Sequence, residues 1–155
     1  MCLKIKTDIE MLPNLPTILE YNNIDVLDRY ARDYPQNKLT PDEAFEELMK
    51  FFWLSIKHKN DKLCFPANKD LDFICGIHSE MKNIDDMWHT FLLFTKDYLS
   101  FCTEYLGRFY HHSPVTKKEQ TSIEAFELDL SRFLSFVYDN LGEESLVKWF
   151  GESIE

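Results

Sequence analysis

The stretch TPDEAFEELMKFFWLSIKH, residues 40–58, decides the fold class of this chain. It opens with a capping box, because Thr40 is a good N-cap, Pro41 suits the first helical position and Glu43 can bond back to the cap. Apolar side chains then recur at the spacing of one helix face; they are Phe45, Leu48, Met49, Phe52, Trp53 and Ile56. The stretch therefore predicts an amphipathic helix to about His58, whose apolar stripe forms part of a core.

Comparable patterns on both sides of this stretch predict further helices. Their approximate bounds are 23–34, 83–106 and 121–141, and a last short helix holds Leu146, Trp149 and Phe150. Asn83 is the expected N-cap of the second, and Thr121 opens the third in a capping box with Glu124. Gly107 and Gly142 follow these two helices at the position that favours glycine, so both helices have a predicted end as well as a predicted start.

The remaining segments predict an arm and a connecting loop. Residues 1–21 contain Pro13 and Pro16, which break any long helix and indicate an arm laid against the body. Residues 59–82 mix charged and apolar side chains, which predicts loop with one short helix near 70–75. No alternation of apolar and polar residues persists long enough for a sheet. We expect an all-α fold, a single compact helical bundle or array of about five to six helices over residues 1–155.

Composition limits the classes of partner. The 155 residues are 45% hydrophobic, which suffices for a core, and carry a formal net charge of −10. Such a surface repels phosphate backbones, and the small basic groups at 57–59 and 117–118 form no binding stripe, so we expect no nucleic-acid partner. The longest apolar runs, 51–54 and 91–94, are too short for a membrane span. Without a recognisable signal peptide the expected location is cytoplasmic, although secretion without a signal would leave no trace in the sequence.

The four cysteines, at positions 2, 64, 75 and 102, have the spacing of no zinc finger, redox motif or disulfide framework. We interpret them as free thiols in a reducing compartment. Cys102, on an apolar helix face, is expected to be a small buried side chain. One alternative stays open, a structural zinc site that joins Cys64 or Cys75 to one or two histidines.

Residues that can carry chemistry concentrate between positions 84 and 114, which hold three of the five histidines. The candidates are Asp85, Asp86, His89, His111 and His112. If residues 84–106 form one straight helix, His89 and Gly107 are roughly 27 Å apart at about 1.5 Å per residue. Extended chain from Gly107 to His111 recovers at most about 14 Å, at about 3.5 Å per residue, so His111 could not reach His89. A straight helix excludes one shared site.

A break in that helix near Thr95 changes the outcome. If Thr95 caps a second helix that folds back, all five candidates can converge. Such carboxylates and imidazoles bind zinc or another divalent ion, or hold a histidine oriented by an aspartate for proton transfer. Structural roles explain the same residues: Asp85 and His89 are paired at i, i+4, and acids in a first turn offset the macrodipole. Adjacent side chains in extended chain point opposite ways, so only one of His111 and His112 is expected to face a site.

One stretch resembles a known family. It contains Asp85-x-x-Trp88-His89, then Leu93, Thr95, Tyr98, Cys102, Gly107 and His111-His112-x-Pro114. This run, about one fifth of the chain, resembles the signature of the glycine-rich-domain-protein-like family of bacteria and plants, whose function is largely unassigned. Members similar to this pattern carry polar, ligand-like residues where this chain has Phe91, Phe94 and Phe101. The resemblance therefore implies a retained scaffold whose metal site or chemistry is weakened or lost. Because some relatives place Pro where Thr95 stands, it also favours the broken helix.

Two functions compete. The first is an acidic helical module for protein–protein interaction or regulation, with another protein as partner and no cofactor; the aromatic fraction of 15% favours it, because aromatics left out of the core would form an exposed patch. The alternative is a metal-dependent or acid–base enzyme, hydrolase-like, with Asp85 and His89 as its catalytic residues. A divalent metal such as zinc would then be bound by side chains among Asp85, His89, His111 and His112, beside a cleft. We favour the first function, because Phe91, Phe94 and Phe101 deprive the candidate site of polar partners.

Overall fold

The structure of the protein is a computed structural model that describes residues 11–113 and 122–154. Within these ranges the secondary structure is helical and contains no strand, so the all-α class is confirmed. The seven α-helices are α1 (Leu15–Leu19), α2 (Ile24–Asp33), α3 (Pro41–Cys64), α4 (Lys82–Leu93), α5 (Thr95–Phe101), α6 (Ile123–Leu141) and α7 (Glu143–Ile154). Short 3₁₀ turns lie at Lys69–Leu71 and Ser79–Met81, and a π turn at Cys102–Leu106 follows α5. The number of helices exceeds the expected five or six because α1 is a separate short helix and because the single predicted helix 83–106 is divided into α4 and α5.

Helix α3 is the element against which the others pack, since it contacts α1, α2, α4 and α6. The predicted capping box is confirmed: the amide of Glu43 donates to Thr40 Oγ1 at 3.2 Å, and the amide of Thr40 donates to Glu43 Oε2 at 3.0 Å. The helix continues beyond the predicted end at His58. An ion pair between Lys57 Nζ and Asp61 Oδ2 (2.6 Å) spans the basic segment where we expected the helix to stop. The helix ends only at Cys64, and its C-cap is Phe65, the residue before Pro66.

Two predicted caps are wrong, and both errors concern polar residues one or two positions from a helix start. Asn83 lies inside α4, where its Oδ1 accepts a bond from the amide of Leu39 at 2.9 Å and so joins the start of α4 to the segment before α3. The N-cap of α6 is Ser122, whose hydroxyl accepts from the amide of Ala125 at 3.0 Å. Thr121 lies outside the described residues, as do Cys2, Pro114 and the basic pair at 117–118.

The predicted arm lies against α3 in its described part, from residue 11 onward. Trp53, which the apolar stripe of α3 places toward a core, is half-buried, and its Nε1 donates to the carbonyl of Pro13 at 3.0 Å. Ile18 of α1 is fully buried. The rest of the predicted stripe, Phe45, Leu48, Met49, Phe52 and Ile56, is also buried. All seven helices contribute side chains to this same hydrophobic core, and no helix among the described residues is long and apolar enough to cross a bilayer.

A buried carboxylate links α3 to α7. Glu47 is fully buried, yet its charge is compensated: Trp149 Nε1 donates to its Oε1 at 2.9 Å, and Lys50 Nζ lies 3.1 Å from its Oε2. The ammonium of Lys50 also bonds Ser145 Oγ at 3.3 Å. Since a buried charge without partners costs several kcal/mol, these contacts specify how α7 docks on α3.

Removal of this carboxylate gives the first prediction. In Glu47→Leu the Trp149 donor and the Lys50 charge lose their buried acceptor, so we expect the free energy of unfolding to fall by about 2–4 kcal/mol. Glu46→Leu is the matched control, because the carboxylate of Glu46 also faces Lys50 but is half exposed; there the expected change is within about 0.5 kcal/mol. Urea denaturation followed by circular dichroism measures both. Equal losses in the two variants would contradict a specific role for Glu47.

Two histidines pack among aromatic rings beside α6. His58 is buried, stacks on Phe73 with ring centroids 4.0 Å apart, and its Nε2 donates to the carbonyl of Leu71 at 2.9 Å. His78 stacks on Phe133 at 5.2 Å. Burial lowers the pKa of both imidazoles below the ordinary 6.5, against the weaker opposite effect of nearby groups, the Leu71 carbonyl for His58 and Glu80 and Asp129 for His78. Both histidines therefore favour the neutral form in the folded protein.

The sign of the resulting pH dependence follows from linkage. Between the lowered folded pKa and 6.5, the unfolded chain binds protons that the folded chain excludes. The free energy of unfolding should therefore decrease as the pH falls below 6.5 and be recovered above it. Denaturation at about pH 7.5 and about pH 5.5 measures the difference. We expect a smaller difference in His58→Gln and in His78→Gln; an unaltered pH dependence in both variants would show that these imidazoles are not the cause.

Candidate metal centre

The run predicted to span residues 83–106 is broken. Helix α4 ends at Leu93, and Phe94 (φ −94°, ψ 69°) leaves the helical region before α5 begins at Thr95. The amide of Phe94 bonds the carbonyl of Phe91 at 3.0 Å, and the amide of Tyr98 bonds the carbonyl of Phe94 at 2.8 Å, so the chain turns without losing its backbone partners. The conditional prediction of a break near Thr95 is thus met, but Thr95 is the first residue of α5 and caps nothing with its side chain.

After α5 the chain returns towards α4. The π turn at Cys102–Leu106 ends at Gly107, whose φ of +83° lies in the left-handed region that glycine adopts without strain. Beyond it, residues 108–113 form no helix. This segment passes the first half of α4 and brings one of its two adjacent histidines against that helix.

Three of the five candidate side chains meet there. His112 Nε2 donates to Asp85 Oδ1 at 2.8 Å, and His89 Nδ1 lies 3.4 Å from the same oxygen. The two imidazole centroids are 4.5 Å apart. One ring nitrogen from each histidine and one oxygen of Asp85 all lie within 4.8 Å of one another. Within the ranges 11–113 and 122–154 this is the one group of three such side chains with that spacing.

The other two candidates do not join the group. Asp86 points away, accepting a bond from Asn37 Nδ2 at 3.0 Å and pairing with Lys82 Nζ. His111 is exposed and packs edge-on against Phe109 at 4.6 Å. The alternation of adjacent side chains therefore separates His111 from His112 as expected.

The group is partly open to solvent. The exposed fractions of the side chains are 53% for His89, 31% for Asp85 and 16% for His112. His112 is the most enclosed because its ring lies 4.3 Å from the indole of Trp88. Nδ1 of His89 donates to the backbone carbonyl of Asp85 at 2.8 Å, which holds its ring beside the carboxylate. A cation in this group would have protein on the His112 side and solvent on the His89 side.

A buried polar cluster lies behind the group. Trp88 Nε1 donates to the hydroxyl of Tyr98 at 3.0 Å, and that hydroxyl donates to the carbonyl of Tyr110. Burial raises the pKa of the Tyr98 hydroxyl and that of the Cys102 thiol beside it, so both remain protonated donors. The expectation that Cys102 is buried is confirmed. The bond between the polar tips of Trp88 and Tyr98 has no signal in the sequence, because it depends on how α4 and α5 cross.

Phe91, Phe94 and Phe101 do not deprive this group of polar partners, contrary to the expectation from the sequence. Phe91 and Phe101 are buried, and both rings contact Tyr21, at 6.0 and 4.8 Å. Phe94 is half-buried at the break. They are core positions, so their apolar character removes no partner from Asp85, His89 and His112.

A zinc site that includes Cys64 or Cys75 finds no support within the described residues, where neither thiol belongs to a group of three potential ligands. Burial raises the pKa of the Cys75 thiol to about 12, and its nearest polar partner is Ser55 Oγ at 3.7 Å. Because a metal binds the thiolate, this environment disfavours Cys75 as a ligand. A cleft of about 520 Å³ lies between the turn at Lys69–Leu71 and α6, and its lining includes none of the three grouped side chains.

The fold and this geometry define a class: a helical protein in which two histidines and one aspartate meet at the edge of a helix pair. A family model, UCP032817-like, matches residues 20–130, and the chain therefore belongs to this uncharacterised family. This finding overturns the resemblance to the glycine-rich-domain-protein-like family. No curated protein and no solved structure matches the chain. The match includes α2 to α5 and the segment that carries His112.

A prediction separates the core from the candidate ligands in the metal-free protein. Trp88 is buried between Phe51 and Phe52, at 5.6 and 5.1 Å, so Trp88→Ala should lower the free energy of unfolding by about 3–5 kcal/mol. His89 is its neighbour but is half exposed, and His89→Ala should cost less than about 1 kcal/mol. Both are measured by urea denaturation in the presence of a chelator. Similar large losses would mean that His89 is a structural residue.

Proposed function

We propose that this protein binds one divalent transition-metal ion, such as zinc, through Asp85, His89 and His112. The observation that carries the proposal is the approach of three ligand-type atoms to within 4.8 Å from two separate segments. Ligands at the usual zinc distances of about 2.0–2.2 Å are roughly 3.4 Å apart in a tetrahedral site. The separation of 3.4 Å between His89 Nδ1 and Asp85 Oδ1 already has this value, and Nδ1 must give up its proton and its bond to the Asp85 carbonyl to become a ligand. The other atoms need shifts that side-chain rotations supply.

The ligand types fit the same group of metals. Two imidazoles and one carboxylate suit zinc, iron and other first-row ions, whereas calcium and magnesium prefer oxygen donors. A cation that enters replaces the bond between His112 Nε2 and Asp85 Oδ1, and the proton of Nε2 shifts to Nδ1 or leaves to solvent, because a ligating imidazole nitrogen carries no proton. Asp85 compensates part of the charge of the ion, and the helical spacing of Asp85 and His89 fixes two of the three ligands before binding.

Three protein ligands leave coordination positions for water or a substrate, and the exposed side of His89 is where they would lie. Structural zinc sites are closed by a fourth protein ligand, whereas catalytic sites keep one position open. The arrangement therefore favours metal-assisted hydrolysis as the class of reaction. This is the hydrolase-like alternative of the sequence analysis, restricted to three of its four candidate ligands.

The interaction module has less support than the metal centre. It relied on aromatic side chains in excess of the core, but among the described aromatics only Phe65, Phe109, Phe126 and Tyr138 are exposed. They lie at different places: the end of α3, the segment 108–113, and the two ends of α6. The three tryptophans are buried or half-buried. The surplus that favoured a binding patch is thus largely absorbed by the core.

Metal titration with a set of variants tests the proposal. We expect the purified, untagged chain to bind about one zinc or cobalt ion, seen by elemental analysis and by calorimetric titration. His112→Ala, His89→Ala and Asp85→Asn should each weaken binding by about tenfold or more.

His111→Ala is the matched control, since it removes the adjacent imidazole that packs on Phe109 instead. It should bind zinc as the wild-type chain does. No bound metal in the wild-type chain would refute the proposal. So would equal effects of His111→Ala and His112→Ala.

A further inference from the structure

The three proposed ligands reach the site in different ways. Asp85 and His89 lie one turn apart on α4, so the helix alone sets their spacing. His112 lies on the irregular segment after Gly107, and no helix fixes its position. The site is complete only when this segment is held against α4 in one register.

The Tyr98 hydroxyl bonds the segment two residues before His112. The Tyr98 hydroxyl donates to the backbone carbonyl of Tyr110 and accepts from Trp88 Nε1. It therefore joins three parts of the chain: α5, the irregular segment, and α4 at the residue next to His89. Tyr98 is buried and its pKa is raised by burial, so the hydroxyl remains a donor throughout the range in which histidine binds metal.

Ring packing supports the same register. The ring of Phe109 lies edge-on to Tyr98 at 5.4 Å, and the ring of Tyr110 lies 5.8 Å from Phe52. The Cys102 thiol also interacts with the Tyr110 backbone. The ring contacts keep the segment near the core, and the hydrogen bonds of Tyr98 and Cys102 to the Tyr110 backbone fix the position of the chain along its own direction.

We propose that Tyr98 is a positioning residue for the metal centre: its hydroxyl fixes the register that brings His112 to Asp85. This inference rests on the proposed function, because its main readout is the affinity for metal. The hydroxyl touches no ligand and acts through the segment and through Trp88, whose indole lies against His112. Its loss increases the fraction of molecules in which His112 is displaced, and the apparent affinity falls with the fraction that is competent.

Tyr98→Phe is the test, with Tyr105→Phe as the matched control. The first substitution removes one buried oxygen and keeps the ring; the second removes the hydroxyl of a half-buried tyrosine in the π turn, whose ring stacks on Phe101 at 5.4 Å. Zinc affinity is measured by competition with a chromogenic chelator, and folding by circular dichroism. We expect Tyr98→Phe to weaken zinc binding by about 10–100-fold, as is usual when the support of a ligand is removed. Tyr105→Phe should leave it unchanged.

A double-mutant cycle separates positioning from general destabilisation. If Tyr98 acts through His112, the effect of Tyr98→Phe on zinc affinity should vanish in a His112→Ala background. A second measurement does not depend on zinc affinity. In the presence of a chelator, the amides of residues 110–113 should exchange with solvent faster in Tyr98→Phe than in the wild-type chain. In Tyr105→Phe they should exchange at the wild-type rate.

The outcomes are distinguishable. A wild-type chain that binds no zinc would overturn the proposed function and this inference together. Zinc binding that depends on His112 but is unchanged in Tyr98→Phe would overturn the inference alone. The same holds if Tyr98→Phe weakens binding equally with and without His112, since the residue would then act on stability and not on the register.

Discussion

The packing of the Phe52 ring is the contact on which both the core and the candidate site depend. This fully buried side chain of α3 meets Trp88 of α4 at 5.1 Å, Tyr98 of α5 at 6.3 Å and Tyr110 of the returning segment at 5.8 Å. The same three residues form the hydrogen-bonded cluster behind Asp85 and His112. The packing on Phe52 thus aligns the polar groups of Trp88, Tyr98 and Tyr110. Their hydrogen bonds then fix the position of the returning segment along its own direction. The candidate site lies on the solvent side of the rings that pack on Phe52, and the hydrophobic core lies on their other side.

Local sequence signals predicted most of the helices, and contacts distant in sequence contributed to the errors at Asn83 and at the end of α3. Thr40, Asn23, Gly107 and Gly142 act within a few residues of their own position, so their patterns could be interpreted correctly. Asn83 is a residue type that often caps helices, but its side chain accepts a bond from the amide of Leu39, which is distant in sequence. The extension of α3 to Cys64 depends on the Lys57–Asp61 pair and on burial of His58 and Asn60 against other elements. A contact distant in sequence decided the first case, and burial against other elements contributed to the second beside the local ion pair.

The candidate site could be predicted only in part for the same reason. The sequence indicated which residue types could meet, and showed that a meeting required a break in the helix. It could not establish the break itself, because Phe94 is neither proline nor glycine. The family resemblance also implied that Phe91 and Phe101 stand in place of lost ligands, whereas the structure shows both as buried core side chains, with Phe91 packed against Phe45. The local resemblance over one fifth of the chain was outweighed by a family match over residues 20–130.

The left-handed conformation of Gly107 has a consequence for the tolerated lengths of the chain. Because the segment starts from one fixed turn and its side chains alternate, the number of residues between Gly107 and the site decides which imidazole faces Asp85. One residue fewer would turn His112 outward and bring Ser113 inward, whereas one residue more before His111 would bring the imidazole of His111 inward. A one-residue deletion between positions 107 and 112 therefore removes the ligand, whereas a one-residue insertion before His111 exchanges one imidazole for the other. In this part of the molecule chain length is itself a determinant of chemistry.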